Sequence, residues 1–150
     1  MGVEERKFAN PEDRLFLTVD FDDDFTRMQH LMRSLGQRVH AVKLGQGFLL
    51  YERWPQLLKW LHSGGITTYL DLKSHEDPDQ MARNTAKVAD LRFEYMSVHA
   101  SAKEENLTAA AKTAASARHL AVAAALSYSS QGIIEKELQH IDNVNAGLEP

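Results

Sequence analysis

Four charged side chains crowd one point of this sequence. Asp71, Lys73, Glu76 and Asp77 fall within the run Tyr69-Leu70-Asp71-Leu72-Lys73-Ser74-His75-Glu76-Asp77-Pro78. On a β-strand Asp71 and Lys73, two positions apart, face the same side with Leu72 on the other. A core does not tolerate such a pair unless each charge meets a partner, because an isolated buried ion is costly. The run is therefore either a solvated strand end or a site. As a site, it sets an ammonium and carboxylates side by side at the end of a strand. Other apolar runs of the chain end in the same manner, at Asp20, Lys43, His99 and Ser127. A lone His at a strand end serves as readily for packing as for ligation. Asp77 reads as a helix cap rather than a catalyst, since Pro78 and Gln80 follow it as in a capping box.

These residues need elements to position them. Residues 15–20, 39–45, 66–73, 93–100 and 119–126 are short apolar or β-branched runs, the first of them reading as a strand covered on both faces. Between them lie helical patterns. Met28, Leu31, Met32 and Leu35 form one stripe, entered from the acidic Asp22, Asp23 and Asp24 and closed by Gly36. Gly45 and Gly47 allow a turn before the next stripe of Trp54, Leu57, Leu58 and Leu61, with Pro55 in its first turn and Gly64-Gly65 as its stop. Met81, Thr85, Val88 and Ala89 make the third buried face. Ser101 to Glu104 reads as a second capping box before an Ala-rich helix to about Ala117, and a last helix is expected over residues 133–138.

Strict strand-helix alternation predicts a parallel sheet with helices outside it. The polar strand-end residues Asp20, Lys43, Asp71, His99 and Ser127 are 23, 28, 28 and 28 positions apart. That period delivers them to one rim, the carboxyl end of the sheet, where ligands bind in α/β barrels and in doubly wound sheets alike. Periodicity alone fits a five-stranded sheet of flavodoxin type, but the acidic, glycine-free stretch Asp20 to Asp24 is hostile to the phosphate such a fold binds after its first strand.

Composition narrows the partners. The chain has 150 residues, 43% of them hydrophobic, which suffices for one domain with a real core. A net charge of -4 with no basic run offers no footprint for nucleic acid, and no apolar run reaches the roughly 18 residues of a membrane span. The absence of cysteine excludes disulfides and thiolate metal sites and fits a reducing cytoplasm. Residues 1–13 read as a polar arm, 14–138 as the domain and 139–150 as a polar tail.

Taken together, Leu17-Thr18-Val19-Asp20, Val42-Lys43-Leu44-Gly45, the run from Leu70 to Pro78, Val98-His99-Ala100-Ser101 and the serine-bearing stretch Ser127 to Gly132 resemble the orotidine 5′-monophosphate decarboxylase family. The resemblance implies a (β/α) barrel of TIM type, here truncated to about five strand-helix units, working as a homodimer without a cofactor or metal on orotidine 5′-monophosphate or a related nucleotide. It makes Lys73 the proton donor to C6, Asp71 the carboxylate beside the substrate's, and Lys43 the lysine that orders the charges. Glu76 would reach the neighbouring subunit's site. Asp20 would hold the ribose and Ser129 the pyrimidine, with His99 and Ser127 completing the substrate-binding set. The family motif has Asp at the position of Glu76, a β-branched apolar residue at Asp77 and Thr at Gln80. A full barrel of this kind takes on the order of 200 to 250 residues. Two other readings stand beside the decarboxylase: a half-barrel module without activity, and a magnesium-dependent sugar-phosphate lyase sharing the Asp-x-Lys-x-x-acid pattern. Strands one and five, as open edges, are expected to drive self-association.

Overall fold

The structure, a computed structural model, describes residues 15–19, 25–35, 38, 39 and 41–125. The predicted arm and tail, the helix over 133–138, the cap at Asp22 to Asp24, Gly36, and the site residues Asp20, Ser127 and Ser129 lie outside the described residues. Strands β1 (Phe16–Val19), β2 (Ala41–Gly45), β3 (Thr67–Ser74), β4 (Tyr95–His99) and β5 (Ala121–Ala125) alternate with helices α1 (Phe25–Leu35), α2 (Trp54–Ser63), α3 (Pro78–Asp90) and α4 (Glu104–Ala117). A short 3₁₀ helix, Gln46–Leu50, occupies the place of the turn expected at Gly45 and Gly47.

The strands pair in parallel in the order β1-β2-β3-β4-β5. This sequential order replaces the flavodoxin alternative, whose strand order reverses at a switch point. With crossovers of one hand, a sheet that never reverses keeps its helices on one face, as in a barrel wall. Burial agrees. Val42, Leu44, Thr68, Leu70, Met96 and Val98 are at most 2% exposed and meet the helices, while the alternate residues Lys43, Tyr69, Asp71 and Tyr95 are half-buried and Thr18 is exposed. The expectation that β1 is covered on both faces is thus corrected: among the described residues the arc does not close into a ring, so its inner face lacks an opposing wall. On that face Phe16, Tyr69 and Tyr95 pack mutually, with ring centroids 5.5 to 6.0 Å apart.

The helices form where the apolar stripes predict. Leu57, Leu58 and Leu61 of α2 and Met81, Thr85, Val88 and Ala89 of α3 are buried, and each fully buried Leu contributes roughly 2 kcal/mol. Thr85 satisfies its hydroxyl on the Met81 carbonyl at 2.8 Å. Gly65, with φ +69°, turns the chain out of α2, a conformation open to glycine without cost. Among the described residues of α1, Met28 and Met32 are buried, and Leu31 is 41% exposed. It stands about 100° around the helix from Met32, and beside an edge strand only a narrow stripe finds sheet beneath it. Asp77 caps α3 by accepting from the Gln80 amide at 2.9 Å, but Gln80 does not return the bond; its amide donates to Asn84 Oδ1. The capping box expected at Ser101 does not form. Lys103 is the N-cap of α4 with no side-chain bond, because the Ser101 hydroxyl is taken by His99.

Candidate active site

Asp71 is the centre of the site, and each of its oxygens is used. Lys43 Nζ and Lys73 Nζ reach the same oxygen, Oδ2, at 3.2 and 3.1 Å, while Ser97 Oγ donates to Oδ1 at 2.7 Å. Adjacent strands supply these groups: Lys43 from β2, Asp71 and Lys73 from β3, Ser97 from β4. In register Gly45 lies opposite Asp71 and Lys43 opposite Tyr69. Lys43 therefore starts one inward position below the carboxylate, and Gly45 presents no side chain between them. The side chains of Asp71, Lys73 and Lys43 are 11%, 18% and 31% exposed, so the ions are screened by water on one side only. Among the described residues, this group sets two ammoniums against one carboxylate, a local positive excess.

The strand is not regular where Lys73 projects. Leu70 pairs with Met96 and Ser74 with Val98, so three residues of β3 face the single residue Ser97 on β4. Within this bulge Lys73 has φ +50°, a left-handed backbone uncommon for a side chain of its size. Simple alternation placed Asp71 and Lys73 on one side; the contact does form, through a bulge rather than along a straight strand. Ser97 holds the bulge in place, since its hydroxyl accepts from the Lys73 amide at 2.9 Å while donating to Asp71.

Burial alone pushes the Asp71 carboxyl up, but hydrogen bonds from Ser97, Lys73 and Lys43 outweigh it and hold the group below its ordinary value of about 3.8. Tyr69 moves the other way. Its burial, and next the charge of Asp71, raise the phenol above its ordinary value of about 10, against a smaller opposing effect of Ser97.

The remaining expected residues lie elsewhere. His99 is 2% exposed, and its Nδ1 lies 2.6 Å from Ser101 Oγ, which in turn lies 3.2 Å from His75 Nε2. These three form a second polar group at the ends of β3 and β4. Glu76 is exposed, and among the described residues it makes no ion pair with the lysines. Its carbonyl accepts from Asn106 Nδ2 at 2.7 Å. Its side chain borders a cavity of about 500 Å³ shared with Leu49, Leu50 and Lys87. A wider concavity of about 750 Å³ runs along α4 past Lys103 and Lys112, apart from the lysine-aspartate group, so chemistry rather than volume marks the site. Among the described residues no group of three or more His, Cys, Asp or Glu is arranged to hold a metal ion, and no helix is long and apolar enough to cross a membrane.

Ser97 and Tyr69 are the functional neighbours that sequence reasoning missed. Their signal was available: Tyr69 precedes Asp71 by two positions, and Tyr95, Ser97 and His99 repeat with the same period on β4.

Comparison with known proteins bears on the chain as a whole. The family model described as Orotidine 5′-phosphate decarboxylase / HUMPS family matches residues 13–148. The chain is 32% identical over 98 residues to the orotidine 5′-phosphate decarboxylase of Carboxydothermus hydrogenoformans, covering 65% of this chain and 40% of that protein. It is 34% identical over 104 residues to the protein of the same name from Halorhodospira halophila, covering 69% and 43%. The chain thus spans about two-fifths of the length of these curated relatives. Among solved structures, orotidine 5′-phosphate decarboxylase from Lactobacillus acidophilus superposes with a TM-score of 0.66 at 21% identity, covering 83% of this chain and 58% of that one. The protein of that name from Pyrococcus horikoshii gives 0.64 at 12% identity, covering 87% and 64%. At these identities the structural likeness shows the fold.

Proposed function

The chain belongs to the orotidine 5′-phosphate decarboxylase / HUMPS family, and from that premise we propose that its lysine-aspartate-lysine rim decarboxylates orotidine 5′-monophosphate to uridine 5′-monophosphate without a cofactor. Lys73 donates the proton to C6, Asp71 stands beside the departing carboxylate, and Lys43 orders the charges. Glu76 belongs to the site of a second copy. Asp20, Ser127 and Ser129, which lie outside the described residues, and His99 contact the nucleotide. The observation that carries this reading is the pair of ammoniums fixed on one oxygen of Asp71, at 3.1 and 3.2 Å.

The chemistry needs that arrangement. When the C6-carboxylate bond breaks, its electron pair stays on C6. An ammonium already fixed beside C6 stabilises this charge more in the transition state than in the bound substrate, which is what lowers the barrier. The proton then moves from Lys73 Nζ to C6, and the lysine is reprotonated from solvent. Asp71 and the second ammonium keep the donor charged and aimed throughout.

A spectrophotometric assay of orotidine 5′-monophosphate decarboxylation tests the reading, run beside Lys73→Ala. Turnover that disappears in the variant is expected. Turnover retained by the variant, or none from folded wild-type protein, counts against it. The second outcome favours the alternative, a half-barrel without activity that binds a ligand or another copy, which the incompletely covered Lys43, Tyr69, Asp71 and Tyr95 of the inner face support. A magnesium-dependent lyase is separated by chelation: the decarboxylase reading expects turnover unchanged by EDTA.

A further inference from the structure

Ser97 is 0% exposed, lies in the middle of β4 and touches both charged members of β3 at once. We propose that Ser97 is a positioning residue of the site, whose single hydroxyl sets the Asp71 carboxylate and, through the backbone, the direction in which Lys73 points. The inference rests on the decarboxylase reading for its kinetic consequence and on geometry alone for the rest.

A hydroxyl has one proton to give and two lone pairs to receive. Here the proton goes to Asp71 Oδ1, leaving Oδ2 to the two lysines. One lone pair takes the Lys73 amide. The bulge removes that amide from the regular ladder, so Ser97 supplies the partner a neighbouring strand ordinarily provides. The left-handed turn at Lys73 is the direct result, and it brings the ammonium back over Asp71. No other uncharged side chain of the described residues is bonded to both Asp71 and Lys73. Loss of the hydroxyl releases the carboxylate and the lysine backbone together.

The groups facing Asp71 are Lys43 from β2, Tyr69 and Lys73 from β3 and Ser97 from β4. Removing the Ser97 donor while the lysines stay therefore moves the Asp71 titration upward, toward that of an ordinary carboxyl.

The test compares wild-type protein with Ser97→Ala, Ser97→Thr and Ser97→Cys. The side-chain carboxyl of Asp71 is titrated by ¹³C NMR, and the Lys73 Cα and Cβ shifts report its backbone. In Ser97→Ala the Asp71 midpoint rises and the Lys73 shifts leave the left-handed range; Ser97→Thr, which keeps the hydroxyl, restores both. If Ser97→Ala does not fold, Ser97→Cys, of similar size but a weak donor, shows the same upward movement to a smaller extent. Where wild-type protein turns over, kcat in Ser97→Ala falls about 100-fold, the cost of misplacing a reacting group by about 1 Å, with KM changed much less. A folded Ala or Cys variant with an unmoved Asp71 midpoint and unmoved Lys73 shifts overturns the proposal. Since neither NMR readout needs substrate, a wild-type protein without turnover overturns the decarboxylase reading and leaves Ser97 to be judged by its own data.

Discussion

The charge state of Asp71 makes the residue scale directly measurable. Its folded carboxyl titrates below the ordinary value near 3.8, so it contributes stability that is present above that value and is lost as pH falls through the lowered one. Urea unfolding at stepped pH should show Asp71→Asn less stable than wild type near neutrality, with the gap closing in the acid range. A gap independent of pH counts against the ion pairs. Tyr69 gives the alkaline counterpart. Its neutral form is favoured in the fold, so stability tied to it is present below pH 10 and lost as pH rises through the raised value. Absorbance titration should show a late phenol step that is absent in Tyr69→Phe. Within the proposed function, Glu76→Asp should raise kcat/KM, since one methylene moves a carboxylate by about 1 Å and such an error costs on the order of 100-fold; an unchanged or lower value would show that Glu already sits correctly. The meeting of Asp71, Lys73 and Lys43 was legible because charges recur at strand ends with a fixed period. The bulge was not, because a lysine at φ +50° carries none of the glycine signal that marks such a backbone.

Element boundaries obeyed local chemistry, and their exceptions have local causes. The buried face of α3 was readable to the residue because its stripe packs against the middle of the sheet, and Asp77 caps it as its sequence context requires. Asp77→Ala should cost about 1 kcal/mol in chemical denaturation; a variant as stable as wild type would mean that Pro78 alone fixes the helix start. The start of α4 misled because two readings competed for one hydroxyl. Ser101 suits a cap, yet His99, two residues before it, is nearer at 2.6 Å. Helix ends show the converse. Arg92 follows α3 at φ +65° and Arg118 ends α4 at φ +61°, positions where glycine is usual. Replacing Arg118 by Gly should raise stability by up to about 1 kcal/mol, the left-handed penalty less the entropy glycine loses on folding. A loss of stability would instead reveal a contact of the arginine side chain.

At the scale of the molecule, the parallel alternation was legible from five spaced apolar runs and the open arc from their number, whereas the incomplete cover of β1 was not, because its short apolar run reads like that of any strand covered on both faces. Among the described residues, strands β1 and β5 lie at the two ends of the sheet, and edges of this kind invite pairing. Self-association at micromolar concentration is the expected outcome in sedimentation velocity; a strictly monomeric species refutes it. The registers carry one more consequence. Thr67 pairs with Ala41, Tyr95 with Tyr69 and Ala121 with Tyr95, each step advancing 26 residues along the chain. From β2 onward the sheet is thus written as a repeated stride, always taken in the same direction, while the first step, Phe16 to Ala41, is one residue shorter. In the terms of gene architecture, a strand and its helix form one word, written three times at the same length between β2 and β5.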